Sequence, residues 1–132
     1  MAFGFEELAV WKRAIQFASD IIDVTEHLQS QTKHFRLIEQ IESAATSVAS
    51  NIAEGKGRYS KKEFSQFLYI ARGSLYETVS LVTLFEGRGW IRSVDAQRLG
   101  SEANEIARMI NGLSQSLKRA SQSAVLPVSR EL

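Results

Sequence analysis

Apolar residues recur at steps of three and four through most of the chain, and this spacing is typical of one face of an amphipathic helix. Four such stripes predict helices over about residues 6–29, 35–54, 60–86 and 93–120. The residues expected to face the core are Leu8, Trp11, Ile15, Ala18, Ile22, Thr25 and Leu28; Ile38, Ile41, Ala45, Val48 and Ile52; Phe67, Ala71, Leu75, Thr78, Val82 and Phe85; and Leu99, Ala103, Ile106, Ile110, Leu113 and Leu117.

Short links between these helices predict an all-α fold, an antiparallel up-and-down four-helix bundle. The bundle is expected to occupy residues 1–120, and a flexible tail is expected at 121–132. The single proline, Pro127, lies near the C-terminus, so it interrupts none of the four predicted helices.

The stretch "NIAEGKGRYSKKEF" at residues 51–64 predicts a corner between the second and third helices. Gly55 is expected to end the second helix as a C-cap at positive φ. Ser60 and Glu63 have the spacing of a capping box, and Tyr59 and Phe64 that of a hydrophobic staple. A Walker loop needs a preceding strand and the spacing GxxxxGK[ST], and GxGxxG is also absent, so the corner interpretation is favoured over a nucleotide site.

Small residues in the second helix predict a close approach of another backbone. If the second and third helices pair antiparallel from the corner, Ala44 and Ala45 lie opposite Gly73 and Ser74. A glycine in a helix interior costs about 1 kcal/mol relative to alanine. Close helix packing is therefore the expected reason for Gly73.

Several apolar residues fall outside the predicted core stripes and indicate spare hydrophobic surface. Such surface favours self-assembly. These residues are Val10, Phe17, Ile21, Tyr69, Tyr76 and Leu81.

Charge is nearly balanced overall, at +1, but it is unevenly distributed. Residues 1–32 carry two basic against five acidic residues, a net of −3, and residues 56–72 carry five basic residues against Glu63 alone, a net of +4. The basic segment is expected to form one corner of the bundle, and either an anionic partner or a solvated surface would account for it. The candidate nucleic-acid-binding residues are Lys56, Arg58, Lys61, Lys62 and Arg72, with a second patch at Lys118 and Arg119.

The sequence lacks the patterns of catalytic and metal-binding sites. The chain has no cysteine, no HExxH and no GxSxG motif, and its two histidines lack the Glu-x-x-His spacing of di-metal bundles. The predicted register separates Glu54 from Glu77, so they do not form an acid/base pair. We therefore expect no enzymatic activity, no cofactor, no metal and no small-molecule substrate. Without a signal-like N-terminus or a long apolar run, the expected location is the cytoplasm, with no membrane partner.

Three segments resemble the bacterial 23S rRNA intervening-sequence proteins, and the accessory proteins of diversity-generating retroelements are similar. The segments are "FEELAVWKRAIQFA", "SAATSVASNIAEGKGRYSKKEFSQFLYIARGSLYE" and "GRGWI", and the resemblance covers about residues 3–117. Its most specific positions are Asn51, Ile52, Ala53, Glu54, Gly55, Arg58, Glu63, Phe67, Leu68, Ala71, Gly73, Ser74 and Glu77.

The resemblance implies a small antiparallel bundle that assembles into a ring, commonly a homopentamer, with no enzymatic activity. It also implies that relatives beside a reverse transcriptase bind nucleic acid through a basic surface. The family usually has two arginines before the paired alanines of the second helix, where this chain has Glu42 and Ser43. The usual proline of the first loop is also missing. These departures weaken the expectation of RNA binding on that face.

Two functions remain open on the sequence. The first is a non-catalytic oligomeric module whose basic corner binds rRNA or another structured nucleic acid, with Tyr59 either stacking on a base or serving as the staple. The alternative is a self-assembling protein–protein scaffold with no nucleic-acid role.

Overall fold

The computed structural model describes residues 3–29 and 34–131, with side chains for 3–28 and 34–121. A short 3-10 helix, Gly4–Glu7, precedes four α-helices, which are α1 (Ala9–Gln29), α2 (Phe35–Lys56), α3 (Lys61–Gly87) and α4 (Ser93–Glu131). The prediction of an all-α four-helix bundle is confirmed. Most of the predicted first loop lies outside the described residues. The helix α4 continues through the segment predicted as a tail, and the flexibility of that segment stays a prediction.

The four helices pack around a square. The helix α1 contacts α2 and α4, α3 contacts α2 and α4, and no pair of diagonal helices is in contact within the described residues. The short 3-10 helix packs against α1 and α2. Since each helix packs beside its neighbours in sequence, the chain runs up and down, as the short links predict.

The core faces of α2, α3 and α4 follow the predicted stripes, but that of α1 is rotated. Val10, Phe17 and Ile21 are at most 4% exposed, whereas Ile15, predicted to be buried, is 46% exposed. Leu81, also assigned to spare surface, is 7% exposed. The predicted spare surface is therefore wrong at these four buried positions. Helix α1 carries two neighbouring apolar stripes, and packing against α2 and α4 decides which one is buried.

Gly55 does not cap α2, contrary to the sequence prediction. It lies inside the helix and is buried, and Gly89 is the only residue with positive φ in the described chain. A Cβ at Gly55 would lie 2.7 Å from Cβ of Phe67 and 2.9 Å from Cδ1 of Phe64. The glycine is required because α2 and α3 approach each other closely here.

Ser60 caps the start of α3 as predicted, but the Glu63 carboxylate meets the Ser60 hydroxyl rather than its backbone N–H, so the predicted capping box is only half formed. The backbone N–H of Glu63 donates to Oγ of Ser60 at 3.1 Å, and that hydroxyl lies 3.2 Å from a carboxylate oxygen of Glu63. Phe64 is buried, whereas Tyr59 is 107% exposed and cannot staple to it. The N-cap is confirmed and the staple is wrong, which leaves the Tyr59 ring in solvent.

Gly73 does not mark a close contact. It is exposed, and a Cβ added at this position would meet no atom within 4 Å outside its own helical turn. The predicted register is also shifted, because the Ser74 hydroxyl donates to Oγ of Ser47 at 3.0 Å rather than facing Ala44. The close approach of α2 and α3 is instead at Gly55.

Candidate nucleic-acid interface

Antiparallel packing brings the first turns of α3 beside the C-terminal half of α4. The two helices enclose an open groove of about 440 Å³, here called the lysine groove. Lys61 and Lys62 of the first predicted basic patch therefore meet Lys118 of the second. The groove is lined by Lys61, Lys62, Ser65, Gln66, Tyr69, Leu117, Lys118 and Ser121.

Two predicted cations lie on the α2 side of the same corner. Nζ of Lys56 is 6.0 Å from the centre of the Phe64 ring, and Cζ of Arg58 is 4.7 Å from that of Phe67. Lys56 is the last residue of α2, and Arg58 lies in the link to α3. The two aromatic rings of α3 orient these side chains by cation–π contact. Lys56 and Arg58 do not line the lysine groove.

Arg72 lies further along α3 and is held in a defined position. Its Nη1 donates to Oδ1 of Asn111 on α4 at 2.8 Å. Its Cζ is 5.1 Å from the centre of the Tyr69 ring and 5.9 Å from that of Tyr76. The guanidinium is therefore fixed between two tyrosines that are 39% and 53% exposed.

Tyr69 joins this arginine to the lysine groove. Nζ of Lys118 lies 5.6 Å from the ring centre. The ammonium of Lys118 beside the phenol, with Ser114 and the charge of Arg72 acting in the same direction, lowers the pKa of Tyr69 below its usual value. Arg119, by contrast, is exposed and does not line the groove.

The candidate cations differ in their partners from four arginines elsewhere in the bundle, which pair with carboxylates. Arg13 and Glu102 form a two-pronged contact between α1 and α4, at 2.8 and 2.7 Å, and Arg98 reaches Asp20 at 3.7 Å. Arg92, which precedes α4, pairs with Asp95, and Arg108 pairs with Glu105 within that helix. Within the part of the chain that the structure describes, none of the seven candidate cations is in a salt bridge. Their charge is therefore not neutralised by carboxylates of this bundle.

Glu42, at a position where the family resemblance implies an arginine, has an internal partner. The Thr25 hydroxyl, fully buried on α1, lies 2.5 Å from Oε2 of Glu42 and 3.0 Å from the Ile22 carbonyl. Ser43 is exposed. Glu42 precedes Lys56 by about 20 Å along α2, at 1.5 Å per residue. Glu42 therefore lies on the α1–α2 side of the bundle, away from the cations at the α2–α3 corner.

The remaining motif residues act mainly between α2 and α3. Asn51 donates from Nδ2 to both the carbonyl and Oγ of Ser47, at 2.8 Å in each case, and Ser74 bonds the same hydroxyl. Glu54 and Glu77 are exposed. This polar cluster holds the two helices in register beside the buried Gly55 contact.

Sequence reasoning missed the arrangement of Tyr69, Arg72, Tyr76 and Asn111 as one surface. The spacing of 69, 72 and 76 on a helix was a readable signal, since residues three and four apart are neighbours on its surface. Asn111 could be found only from the pairing of α3 with α4.

Metal clusters and membrane-spanning helices are both absent from the described residues. No group of three or more metal-ligating side chains is placed to hold an ion in residues 3–28 and 34–121. Over the same described part of the chain, no helix combines the length and apolar character needed to cross a membrane.

Comparison with known proteins identifies the family. The family model described as 23S rRNA-intervening sequence protein matches residues 6–112. A crystal structure of a protein with unknown function, from the S23 ribosomal protein family of Bacteroides thetaiotaomicron, has a similar fold, with a TM-score of 0.76 and 24% identity. The similarity covers 80% of this chain and 98% of that one. No curated protein matches. Because the family model spans most of the chain, this protein belongs to the 23S rRNA-intervening sequence protein family.

Proposed function

We propose that this protein is a non-catalytic, oligomeric bundle that binds structured RNA through its basic corner, here meaning the α2–α3 end with the lysine groove. The proposal rests on one observation above all. Lys61, Lys62 and Lys118 share a groove and form no salt bridge within the described residues. Unneutralised cations in a groove attract a polyanion, and phosphate contacts provide most of the affinity in such binding.

The position of the lysines supports a ligand rather than a structural role. Lys61 and Lys62 occupy the first turn of α3, where the helix dipole favours an anion and disfavours a cation. A phosphate bound at this turn would satisfy both the ammonium groups and the helix N-terminus.

Binding to a structured RNA over a salt series tests this proposal. The double variant Lys61→Gln/Lys62→Gln should lower affinity and reduce the slope of log K against log salt by about 1.4 to 1.8, since each lost phosphate contact contributes about 0.7–0.9. The matched control Lys12→Gln/Arg36→Gln removes two exposed cations away from the groove and should leave that slope unchanged. Equal slopes for all three proteins would contradict the proposed site.

A self-assembling scaffold without nucleic acid is the second candidate. It is favoured by large apolar side chains that the bundle leaves outside its core. Ile15, Ile70 and Leu84 are 46%, 52% and 46% exposed. Protein purified at low salt distinguishes the two functions, because bound RNA raises the absorbance ratio of 260 to 280 nm and a scaffold alone does not.

A further inference from the structure

The lysine groove continues along α3 into a row of aromatic side chains. Lys62, Tyr69 and Tyr76 recur every seven residues, which places them on one face of the helix at steps of about 10.5 Å. Arg72 lies between the two tyrosines, and Lys118 of α4 lies beside the first. One continuous surface therefore begins with ammonium groups and ends with rings.

The exposed tyrosine rings indicate which form of RNA this surface would bind, because double-stranded RNA offers few base faces for stacking. In a paired helix the base faces are covered by their neighbours, so a protein contacts mainly phosphates and sugars. Unpaired nucleotides expose base faces, and these stack on tyrosine or on a guanidinium plane. Tyr69 and Tyr76 are too far apart for two consecutively stacked bases, but their spacing suits bases splayed apart with Arg72 between them.

We propose that this surface binds an unpaired segment of RNA, with Lys61, Lys62 and Lys118 contacting phosphates and Tyr69 and Tyr76 stacking on bases. The inference rests on the proposed RNA binding and specifies its substrate as a loop or bulge rather than a continuous duplex. The groove volume, about 440 Å³, is within the range of sites for small ligands and suits a single nucleotide at its lysine end.

The cations beside the rings are compatible with this arrangement. Lys118 and Arg72 form cation–π contacts with Tyr69 in the absence of ligand. Such contacts are weak at exposed sites, whereas an ammonium or guanidinium bonds a phosphate by stronger charge-assisted hydrogen bonds. Arriving phosphates would draw Lys118 from the ring and open the ring face for a base. Arg72, which Asn111 anchors, would remain as a further stacking plane.

The experiment compares two RNAs and three proteins. The RNAs are a hairpin with an unpaired loop of about eight nucleotides and the same stem as a blunt duplex. The proteins are the natural chain, the variant Tyr69→Leu/Tyr76→Leu, and the control Tyr69→Phe/Tyr76→Phe, which keeps both rings. Circular dichroism and thermal unfolding verify that each protein is folded, as expected for substitutions on a partly exposed helix face.

We expect the natural chain to prefer the hairpin. The leucine variant should lose about tenfold affinity per ring for the hairpin, with its salt slope and its duplex affinity unchanged, and the phenylalanine variant should retain hairpin affinity. Binding could depend on salt but be equal for both RNAs and unaffected by the leucine substitutions. That result would overturn the proposal that bases stack on this surface, while leaving the proposed function intact. The assignment of a nucleotide ligand would be overturned if an acidic polypeptide of equal charge displaced the hairpin as effectively as free loop RNA does. No RNA binding by the natural chain at low salt would overturn both proposals.

Discussion

Gly55 and Gly73 are both helical glycines of the α2–α3 pair, but their surroundings differ. At Gly55 an added methyl group would lie 2.7 Å from Cβ of Phe67, an atom fixed to the backbone of α3. At Gly73 the same group would meet no atom within 4 Å beyond its own helical turn. We predict that Gly55→Ala destabilises the protein by about 1–2 kcal/mol, since overpacking outweighs the gain in helix propensity.

Gly73→Ala is the matched control, and its effect should have the opposite sign. The exposed alanine should stabilise the protein by about 0.5–1 kcal/mol, because it removes conformational freedom from the unfolded chain at no steric cost. Urea unfolding at several fixed protein concentrations measures both effects and allows for any assembly. Stabilisation by Gly55→Ala as well as by Gly73→Ala would show that Gly55 is not required by packing.

The geometry of the lysine groove predicts that the charge of Lys118 affects the pKa of Tyr69. Lys118, whose ammonium lies beside the Tyr69 ring, is the largest cause that lowers the pKa of Tyr69. We predict that Lys118→Gln raises this pKa toward the ordinary value, whereas Arg119→Gln, which removes an equal charge outside the groove, changes it much less. An NMR titration with ¹³C-labelled tyrosine measures the Tyr69 signal in each protein. An equal rise in both variants would mean that Lys118 does not contact the phenol.

Residue roles were predictable where they depend on local chemistry. The Ser60 cap was readable because its partner, Glu63, is three positions away. The role of Gly55 was not, because it depends on how closely α3 approaches, and the same glycine is equally consistent with a C-cap. The staple failed for a related reason, since local spacing allows Tyr59 to meet Phe64 but does not require it.

At the scale of elements, the first turn of α4 predicts a pH dependence. The Arg92 guanidinium bonds the Asp95 carboxylate, with Nε and Oδ2 3.1 Å apart, and lowers the pKa of Asp95, with Arg98 acting in the same direction. A carboxylate whose pKa is lower in the folded state stabilises that state above its unfolded pKa of about 3.9. This stabilisation is lost as the pH falls through the folded value.

We therefore predict that Asp95→Asn lowers the melting temperature at pH 7 and that the difference from the natural chain disappears as the pH falls below about 4. Thermal unfolding across this range measures it. The control Glu39→Gln changes an exposed carboxylate that is in no salt bridge of the described residues, and should have little effect at either pH. A difference that persists unchanged at low pH would show that Asp95 acts through something other than its charge.

The sequence pattern predicted where the helices lie, but it predicted the buried face of some helices better than that of others. Helices α2 and α4 each carry one apolar stripe, so periodicity also determines which side is buried. Helix α3 buries its predicted stripe but leaves Ile70 and Leu84 exposed. Helix α1 carries two, and the line through Phe17 and Ile21 is buried while Ile15 is not. Only the positions of α2 and α4 distinguish the two stripes, and a single-helix pattern does not contain that information.

At the scale of the molecule, the topology was predictable from the sequence. Of the candidate site, individual residues were predictable, but their arrangement on one surface was not. Four helices with short links leave the up-and-down bundle as the simplest arrangement. The same arrangement places the end of α4 beside the start of α3, so Lys118 could have been expected near Lys61. The aromatic row was missed because Tyr69 and Tyr76 were assigned to assembly surface, on apolar character alone.

Assembly is the prediction with the largest physical consequence. The family resemblance implies a ring of five, and the exposed Ile15, Ile70 and Leu84 provide apolar surface for contacts between copies. Five chains of 14.8 kDa have a mass of about 74 kDa, which native mass spectrometry and light scattering over a dilution series would detect. A single species of 14.8 kDa at every concentration would contradict assembly.

A ring would also change how affinity depends on RNA length. A short RNA fills one lysine groove, whereas a longer RNA with several unpaired segments reaches the grooves of neighbouring copies, and each further contact is then intramolecular. We predict that affinity rises by at least about tenfold between RNAs with one and with three loops, beyond the threefold that site number alone would give. An assembly-deficient variant such as Ile70→Glu should bind the single-loop RNA normally but lose this additional gain. A gain that survives in a monomeric variant would show that the loops act independently of the ring.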